Sequence, residues 1–372
     1  MNVLILEPYL TKSHEKWMKS LERHLPFQVR SLTLPPRYWK WRMHGASITL
    51  AQAFLRMNWQ PDCIIMSEMM DVGIFLAQTR LKLGQIPVIL YFHENQLTYP
   101  MSAKDRDRER RFDNHYPFIN YTSALVANHV LFNSHFHRDE FLSNLGPFLR
   151  KYPDHSKDLP VEILWEKSSV MYPGIDLDPM ENVRVQKVPG PPVILWNHRW
   201  EYDKNPKLFF QTLFELKARN IPFRLCVLGQ SFAEQPEIFS VAERILKNEI
   251  VCFGFEVDDD AYYKWLWRSD IVVSTSNQDF FGISVVEAMY CHCFPLLPNR
   301  LAYPEHIPND LHPSCLYDSE EDLLDQLIWV MDHLDALQEK MEMIRNRVAS
   351  YDVRNCVESY VPILKGLVEG NT

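Results

Sequence analysis

The chain has 372 residues, 46% of them hydrophobic and 23% charged, with a formal net charge of −9. That length predicts two domains of about 150–200 residues, each able to bury its own core. The acidic balance excludes a simple polyanion binder and leaves only local basic patches for nucleic acid; no apolar run is long enough to cross a membrane, and MNVLILEPYL at the start reads as a first strand rather than a leader.

The first half alternates short apolar runs, predicted as strands at 3–7, 28–33, 63–67, 88–92 and 130–133, with helical stretches at 13–24, 46–56, 72–83, 114–127 and 136–145. Near-continuous apolar strands alternating with helices predict a doubly wound parallel sheet. Ligands of such sheets bind at the carboxyl ends of strands, which singles out residues 8–14 and the run His93-Glu94-Asn95-Gln96. Among the former, Ser13 and His14 open a helix, Ser13 reading either as its N-cap or as a ligand contact. His93 closes an apolar run and opens a polar one, a position suited to binding a sugar hydroxyl or a developing charge, with a satisfied core histidine as the alternative reading. No G-x-G-x-x-G follows the first strand, which disfavours a nicotinamide dinucleotide fold.

Two segments concentrate positive charge. Residues 35–42, PPRYWKWR, interleave Arg37, Lys40 and Arg42 with Tyr38, Trp39 and Trp41, as phosphate contact plus base stacking requires; a solvated loop with snorkelling aromatics fits equally well. Residues 104–111, KDRDRERR, include Arg110 and Arg111 and read first as a salt-bridged polar helix. Residues 177–192 are poor in apolar pattern and close in Pro-Gly-Pro-Pro, which predicts a linker between domains 1–176 and 193–350.

The second alternating series has strands predicted at 193–197, 224–228, 250–253, 271–274 and 294–297. After the first of these, Arg199 and Lys204 lie in a helix-entry loop where two cations can neutralise a diphosphate. Residues 274–299, STSNQDFFGISVVEAMYCHCFPLLPN, turn through Gly282 into a helix, with Asp279 before it and Glu287 inside it. Such a turn offers backbone N–H groups to an anion, while the carboxylates can hold sugar and ribose hydroxyls. The run Asp258-Asp259-Asp260 reads as a helix cap favoured by the dipole. Helical spacing continues from 319 to 366, and 351–372 is expected to pack back on the first domain. Seven cysteines without framework spacing suit reduced thiols in a cytoplasmic enzyme. The motif Cys291-His292-Cys293 lacks a second pair at zinc spacing, and no metal is assigned.

In order, YPGID at 172–176, the Arg199/Lys204 pair, CFGFEVDDD at 252–260 and SDIVVSTSNQDFFGISVVEAM at 269–289 resemble glycosyltransferase family 4, whose GT-B fold sets two Rossmann-like domains across a cleft. Asp279 stands where that family's E-x7-E motif has its first glutamate. The stretches PPRYWKWR, YFHENQLTYP at 91–100 and VLFNSHFHRDEFLSNLGPFLRKYPDH at 130–155 resemble a narrower group, the tRNA-queuosine mannosyltransferases, although the first turn, YLTKSH, lacks that group's paired glycines. The resemblance implies a metal-independent, retaining transfer of a hexose, mannose from GDP-mannose, to the cyclopentenediol of queuosine in a tRNA anticodon, with no cofactor and no membrane. It implies that Arg199 and Lys204 stabilise the departing diphosphate, that Glu287 holds the ribose, and that Asp279, Phe281 and Gly282 position the sugar. Phe253 and Gly254 would flank the base, Ser13 and His14 would line the donor phosphates, and His93 would bind the sugar. Arg37, Lys40, Trp41, Arg42, Glu94, Asn95, Arg110 and Arg111 would meet the acceptor RNA. A GT-B transferase with a lipid or small-glycan acceptor, and a catalytically idle nucleotide- or RNA-binding module, are the competing expectations.

Overall fold

The computed structural model describes residues 1–100, 114–154, 158–231 and 236–370. The chain divides into two compact units, 1–176 with 351–372, and 177–350. Each is built on a six-stranded parallel sheet.

In the first unit the strands are β1 (Asn2–Glu7), β2 (Gln28–Thr33), β3 (Cys63–Ser67), β4 (Val88–Phe92), β5 (His129–Phe132) and β6 (Ser168–Val170), in the order β2-β1-β3-β4-β5-β6. Successive side chains of a strand point to opposite faces, and the apolar run of β1 feeds two cores. Leu4 and Leu6 join the cluster of Phe54, Phe75, Phe92 and Phe141, under helices Trp39–Arg56, Val72–Leu83 and His135–Leu149. Val3 and Ile5 join Trp17, Met18 and Leu21 of helix Lys12–His24, closed by Val353, Val357, Tyr360 and Leu364 of helix Val353–Glu369. Each such side chain contributes about 1.5–3 kcal/mol by leaving water, so the terminal helix is part of this unit's core.

In the second unit the strands are β7 (Val193–Trp196), β8 (Arg224–Leu228), β9 (Ile250–Gly254), β10 (Ile271–Val273), β11 (Phe294–Pro298) and β12 (Leu316–Tyr317), in the order β12-β11-β10-β7-β8-β9. The two-residue β12 is too short to register as a periodic pattern.

Several local expectations change. Helix Lys12–His24 is capped by Thr11, whose side chain accepts from the His14 amide; Ser13 lies inside the helix, its Oγ 3.0 Å from Thr11 Oγ1. The second helix begins at Trp39, seven residues earlier than expected. Lys40, Trp41 and Arg42 are therefore helical, behind Tyr38 in the left-handed region at φ 56°. The expected linker contains helix Asp178–Asn182, whose Met180 is buried and accepts from Trp267 Nε1 at 2.8 Å. Asp258 does cap its helix, accepting from the amides of Asp260 and Ala261, and all seven cysteines are free thiols.

Candidate active site

In open parallel sheets, ligands sit beyond the carboxyl ends of the strands where the strand order reverses. In the second unit that point lies between β7 and β10, which are hydrogen-bonded neighbours although β8 leads away on one side and β11 on the other.

The loops after these two strands are stitched together. Asn277 N donates to Asp203 O at 2.7 Å, and Thr275 Oγ1 to Lys204 O at 2.9 Å. Lys204 is buried there, its Nζ donating to Gln278 O at 2.5 Å and standing 3.2 Å from both Asp203 Oδ2 and Asp279 Oδ1. Asp279 also accepts from the Tyr303 hydroxyl at 2.6 Å. Burial alone would raise its pKa; Lys204, His198 and Tyr303 together outweigh that and hold it below the usual carboxylate range. His198 beside it is pushed down to about 4 by burial, with Lys204 and Arg199 adding to the shift, so its ring is neutral.

Gly282, at φ 80° with the Tyr303 ring 3.0 Å from where a Cβ would stand, turns the chain into helix Ile283–Tyr290. Phe281 is buried and its carbonyl accepts from His306 Nε2 at 2.6 Å. One turn on, buried Glu287 accepts from the Tyr262 hydroxyl at 2.9 Å; that hydroxyl in turn accepts from Asn197 Nδ2, which also donates to Ser284 O. Gly229, directly after β8, is required by close approach: a Cβ would lie 1.8 Å from His198 O. Phe253, half-buried at the end of β9, packs edge-on against Trp200 at 5.0 Å, and Gly254 follows at φ 136°. Arg199 is placed differently from its expected partner, on the exposed side of the loop and 3.2 Å from Glu201. Lys204, Asp279, Phe281, Gly282 and Glu287 thus form one constellation, joined by Asn197, His198, Tyr262 and Tyr303, which the sequence reading missed.

In the first unit the reversal lies between β1 and β3, followed by β4. Each of these strands leads into an ionisable residue: Glu7, Glu68 and His93. Glu7 is fully buried, with Oε2 3.5 Å from both His14 Nδ1 and His93 Nε2. The two imidazoles stack with centroids 3.9 Å apart and planes 14° apart, and Trp17 meets His93 edge-on at 4.6 Å. Burial would lower the pKa of His14, but Glu7, with help from Glu68 and Glu94, lifts it to about 9. Burial and the His14 charge push His93 down to about 4. Glu68, also fully buried, accepts from the amides of His93 and Glu94 at 3.1 Å. Its pKa rises to about 8, chiefly through burial. The three ligand atoms of Glu7, His14 and His93 lie within 4.8 Å of one another, close enough for a metal. Imidazole lone pairs lie in the ring plane, however, and near-parallel rings 3.9 Å apart cannot both aim at one ion.

Further along, Asn95 is fully buried and its side chain is engaged within the turn, accepting from the amides of Leu97 and Thr98, while Glu94 accepts from Gln96 Nε2. Arg110 and Arg111 lie outside the described residues. The basic–aromatic stretch leads into helix Trp39–Arg56 and supplies its first turn, residues 39–42. The Trp41 indole lies over Gly45, where a Cβ would come within 2.6 Å of the ring, yet Trp41 stays 62% exposed and Tyr38 79%. Arg42 is anchored to Pro35 O at 3.1 Å, and Lys40 sits 5.5 Å over the Trp39 ring. Arg37 precedes the helix on the same exposed approach. No acid occurs between Glu22 and Asp62, a span carrying six cations: Arg23, Arg30, Arg37, Lys40, Arg42 and Arg56.

Two family models match the chain: tRNA-queuosine alpha-mannosyltransferase N-terminal over residues 2–175, and Glycosyl transferases group 1 over residues 180–347. A tRNA-queuosine alpha-mannosyltransferase of Drosophila melanogaster is 33% identical over 325 residues, covering 83% of this chain and 82% of its own length. Among solved structures, Anabaena HepE in complex with UDP is similar in fold, with a TM-score of 0.69 at 13% identity, covering 98% of this chain and all of the other. So is sucrose-phosphate synthase from Thermosynechococcus elongatus, with a TM-score of 0.71 at 11% identity, covering both chains fully.

Proposed function

The chain belongs to the tRNA-queuosine alpha-mannosyltransferase family and is a GT-B glycosyltransferase, and on that premise we propose that it transfers mannose from GDP-mannose to the cyclopentenediol of queuosine in a tRNA anticodon, with retention and without a metal ion. The observation that carries the donor half is the buried Lys204 held against Gln278 O and Asp279 at the strand-order reversal of the second unit.

In this mechanism an ionised Asp279 can only accept hydrogen bonds, which suits it to sugar hydroxyls. Glu287 takes the ribose, and Phe253 with Gly254 flanks the base. Lys204, Arg199 and the first-turn amides of helix Ile283–Tyr290 meet the charge that develops on the diphosphate, the contribution that usually dominates such catalysis. His93, neutral at physiological pH, accepts from or donates to the transferred sugar. Glu7 is engaged by two imidazoles and Glu68 by two amides, so neither is presented as a nucleophile for a covalent glycosyl-enzyme. The acceptor hydroxyl attacks from the face the phosphate leaves: its oxygen bonds to the anomeric carbon, the bond from that carbon to the phosphate oxygen breaks, and its proton passes to the departing phosphate. The acid-free span 23–61, with Trp41 exposed on it, supports an RNA acceptor, and no helix among the described residues is long and apolar enough to cross a membrane. We place the activity in the cytoplasm.

The test is mass spectrometry of tRNA nucleosides after incubation with the protein and a panel of nucleotide sugars, with and without EDTA. A hexose-sized gain on queuosine with GDP-mannose alone, undiminished by EDTA, is the expected result. A gain with another sugar overturns the donor, loss in EDTA overturns metal independence, and no gain on tRNA overturns the acceptor.

A further inference from the structure

Glu7 has no role in the steps above, yet it is a wholly buried carboxylate at the end of a central strand, aimed between two imidazoles. Burying such a group is costly unless it is paired, and its partners come from two other elements, His14 from helix Lys12–His24 and His93 from the end of β4. Among the described residues, the other charged or titratable groups around the pair are Tyr91 of β4, whose ring meets His93 at 4.7 Å, Glu68 after β3, Glu94 beyond β4 and His137 of helix His135–Leu149. Trp17 closes the edge of the His93 ring, and its Nε1 donates to the Tyr360 hydroxyl of the terminal helix.

We propose that Glu7 is the positioning residue of His93: it fixes His14 as an imidazolium against the face of the His93 ring, and so presents His93 to the transferred sugar as a neutral imidazole in one orientation and one tautomer. The Glu7 carboxylate, 3.5 Å from His93 Nε2, favours the proton on that nitrogen by charge and leaves Nδ1 as the acceptor. The positive ring stacked on it opposes protonation, and the stack holds its plane. The proposal rests on the assignment of His93 to the transferred sugar.

Two variants shift the pH–rate profile in opposite directions. Glu7→Gln removes the anion that keeps His14 charged. The alkaline limb, expected near pH 9 in the natural protein, then moves down by two or more pH units, and kcat at pH 8 falls about a hundredfold through misplacement of the ring, with KM for tRNA nearly unchanged. His14→Gln removes the positive neighbour but leaves Glu7, so His93 protonates more easily and the acid limb moves up from about 4. A merely structural Glu7 would scale both profiles without moving either limb, and that result overturns the proposal. A substrate-free readout separates it from the transferase assignment: nitrogen-15 NMR of the full-length protein's imidazoles. His14 titrating near 9 with His93 neutral down to about 4 supports it even if no sugar transfer is found. His14 titrating near the ordinary 6.5, or stoichiometric divalent metal that is lost in Glu7→Gln, overturns it.

Discussion

The two units set carboxylates at equivalent places, beyond central strands of a parallel sheet, part-buried in one and fully buried in the other, and neutralise them by opposite means. Asp279 in the second unit is met by a cation, Lys204, and by a phenol, and its pKa falls. Glu68 in the first unit has two amides but, among the described residues, no cation paired with it, and burial drives its pKa up to about 8. Glu7 stands between the two, held ionised chiefly by protonated His14, with His93 adding to the effect. Burial therefore does not decide the charge of an acid. What decides it is whether the chain delivers a permanent cation, a titrating one or none.

The largest expected effect comes from breaking the permanent pair. Lys204→Ala leaves buried Asp203 and part-buried Asp279 without their cation, which costs about 3–5 kcal/mol and should abolish sugar transfer, read as a fall in melting temperature together with loss of product. Arg199→Ala separates chemistry from folding. Its exposed pair with Glu201 contributes little to stability, so the melting temperature should hold while kcat falls by about 10²-fold or more and RNA binding stays intact. An unchanged kcat would remove Arg199 from the diphosphate.

Glu68→Gln sharpens the contrast through pH. A buried acid whose folded pKa lies near 8, above an unfolded value of 4.5, holds its proton in the folded state while the unfolded chain releases it. Stability is then lost as pH rises from about 4.5 to 8. The amide cannot titrate, so the variant should be about 1 kcal/mol less stable near pH 5 and gain on the natural protein towards pH 8, measured as denaturation midpoints across that range. Asp279 has the reverse sign, its contribution being present above 3.8 and lost below the depressed folded value. The smallest effect is Gly45→Ala. The added methyl displaces the Trp41 indole, and affinity for tRNA should weaken about three- to tenfold with KM for the nucleotide sugar unchanged. Equal affinity would mean that the Trp41 face does not meet RNA.

Much of the second unit was legible because its chemistry is local. Lys204, Asp279, Gly282 and Glu287 sit at strand ends and helix starts whose spacing the sequence displays. Tyr262 and Tyr303 were not, since each reaches its carboxylate from an element whose own pattern reads only as amphipathic helix or connecting turn. The first unit hid more. Glu7 and Glu68 close apolar runs and read as strand ends, although an acid directly after a buried strand is the same signal that drew attention to His93. Lys40, Trp41 and Arg42 were seen as a basic–aromatic group, but not as helix, because two prolines stand ahead and no acid occupies the first turn. Lys204 and Arg199 looked equivalent five residues apart; only the fold shows that one is interior and the other is not.

The first unit is not contiguous in the chain. One face of its sheet is completed by Val353, Val357, Tyr360 and Leu364, which follow the whole of the second unit. On a ribosome adding about 5–20 residues per second, residues 1–176 wait on the order of ten seconds or more for the helix that seals them, whereas 177–350 emerge as an unbroken stretch. Nascent-chain aggregation and chaperone capture should therefore concentrate on the half that is made first and finished last, and a clone truncated at residue 176 will expose Trp17 and its neighbours instead of yielding a stable lobe.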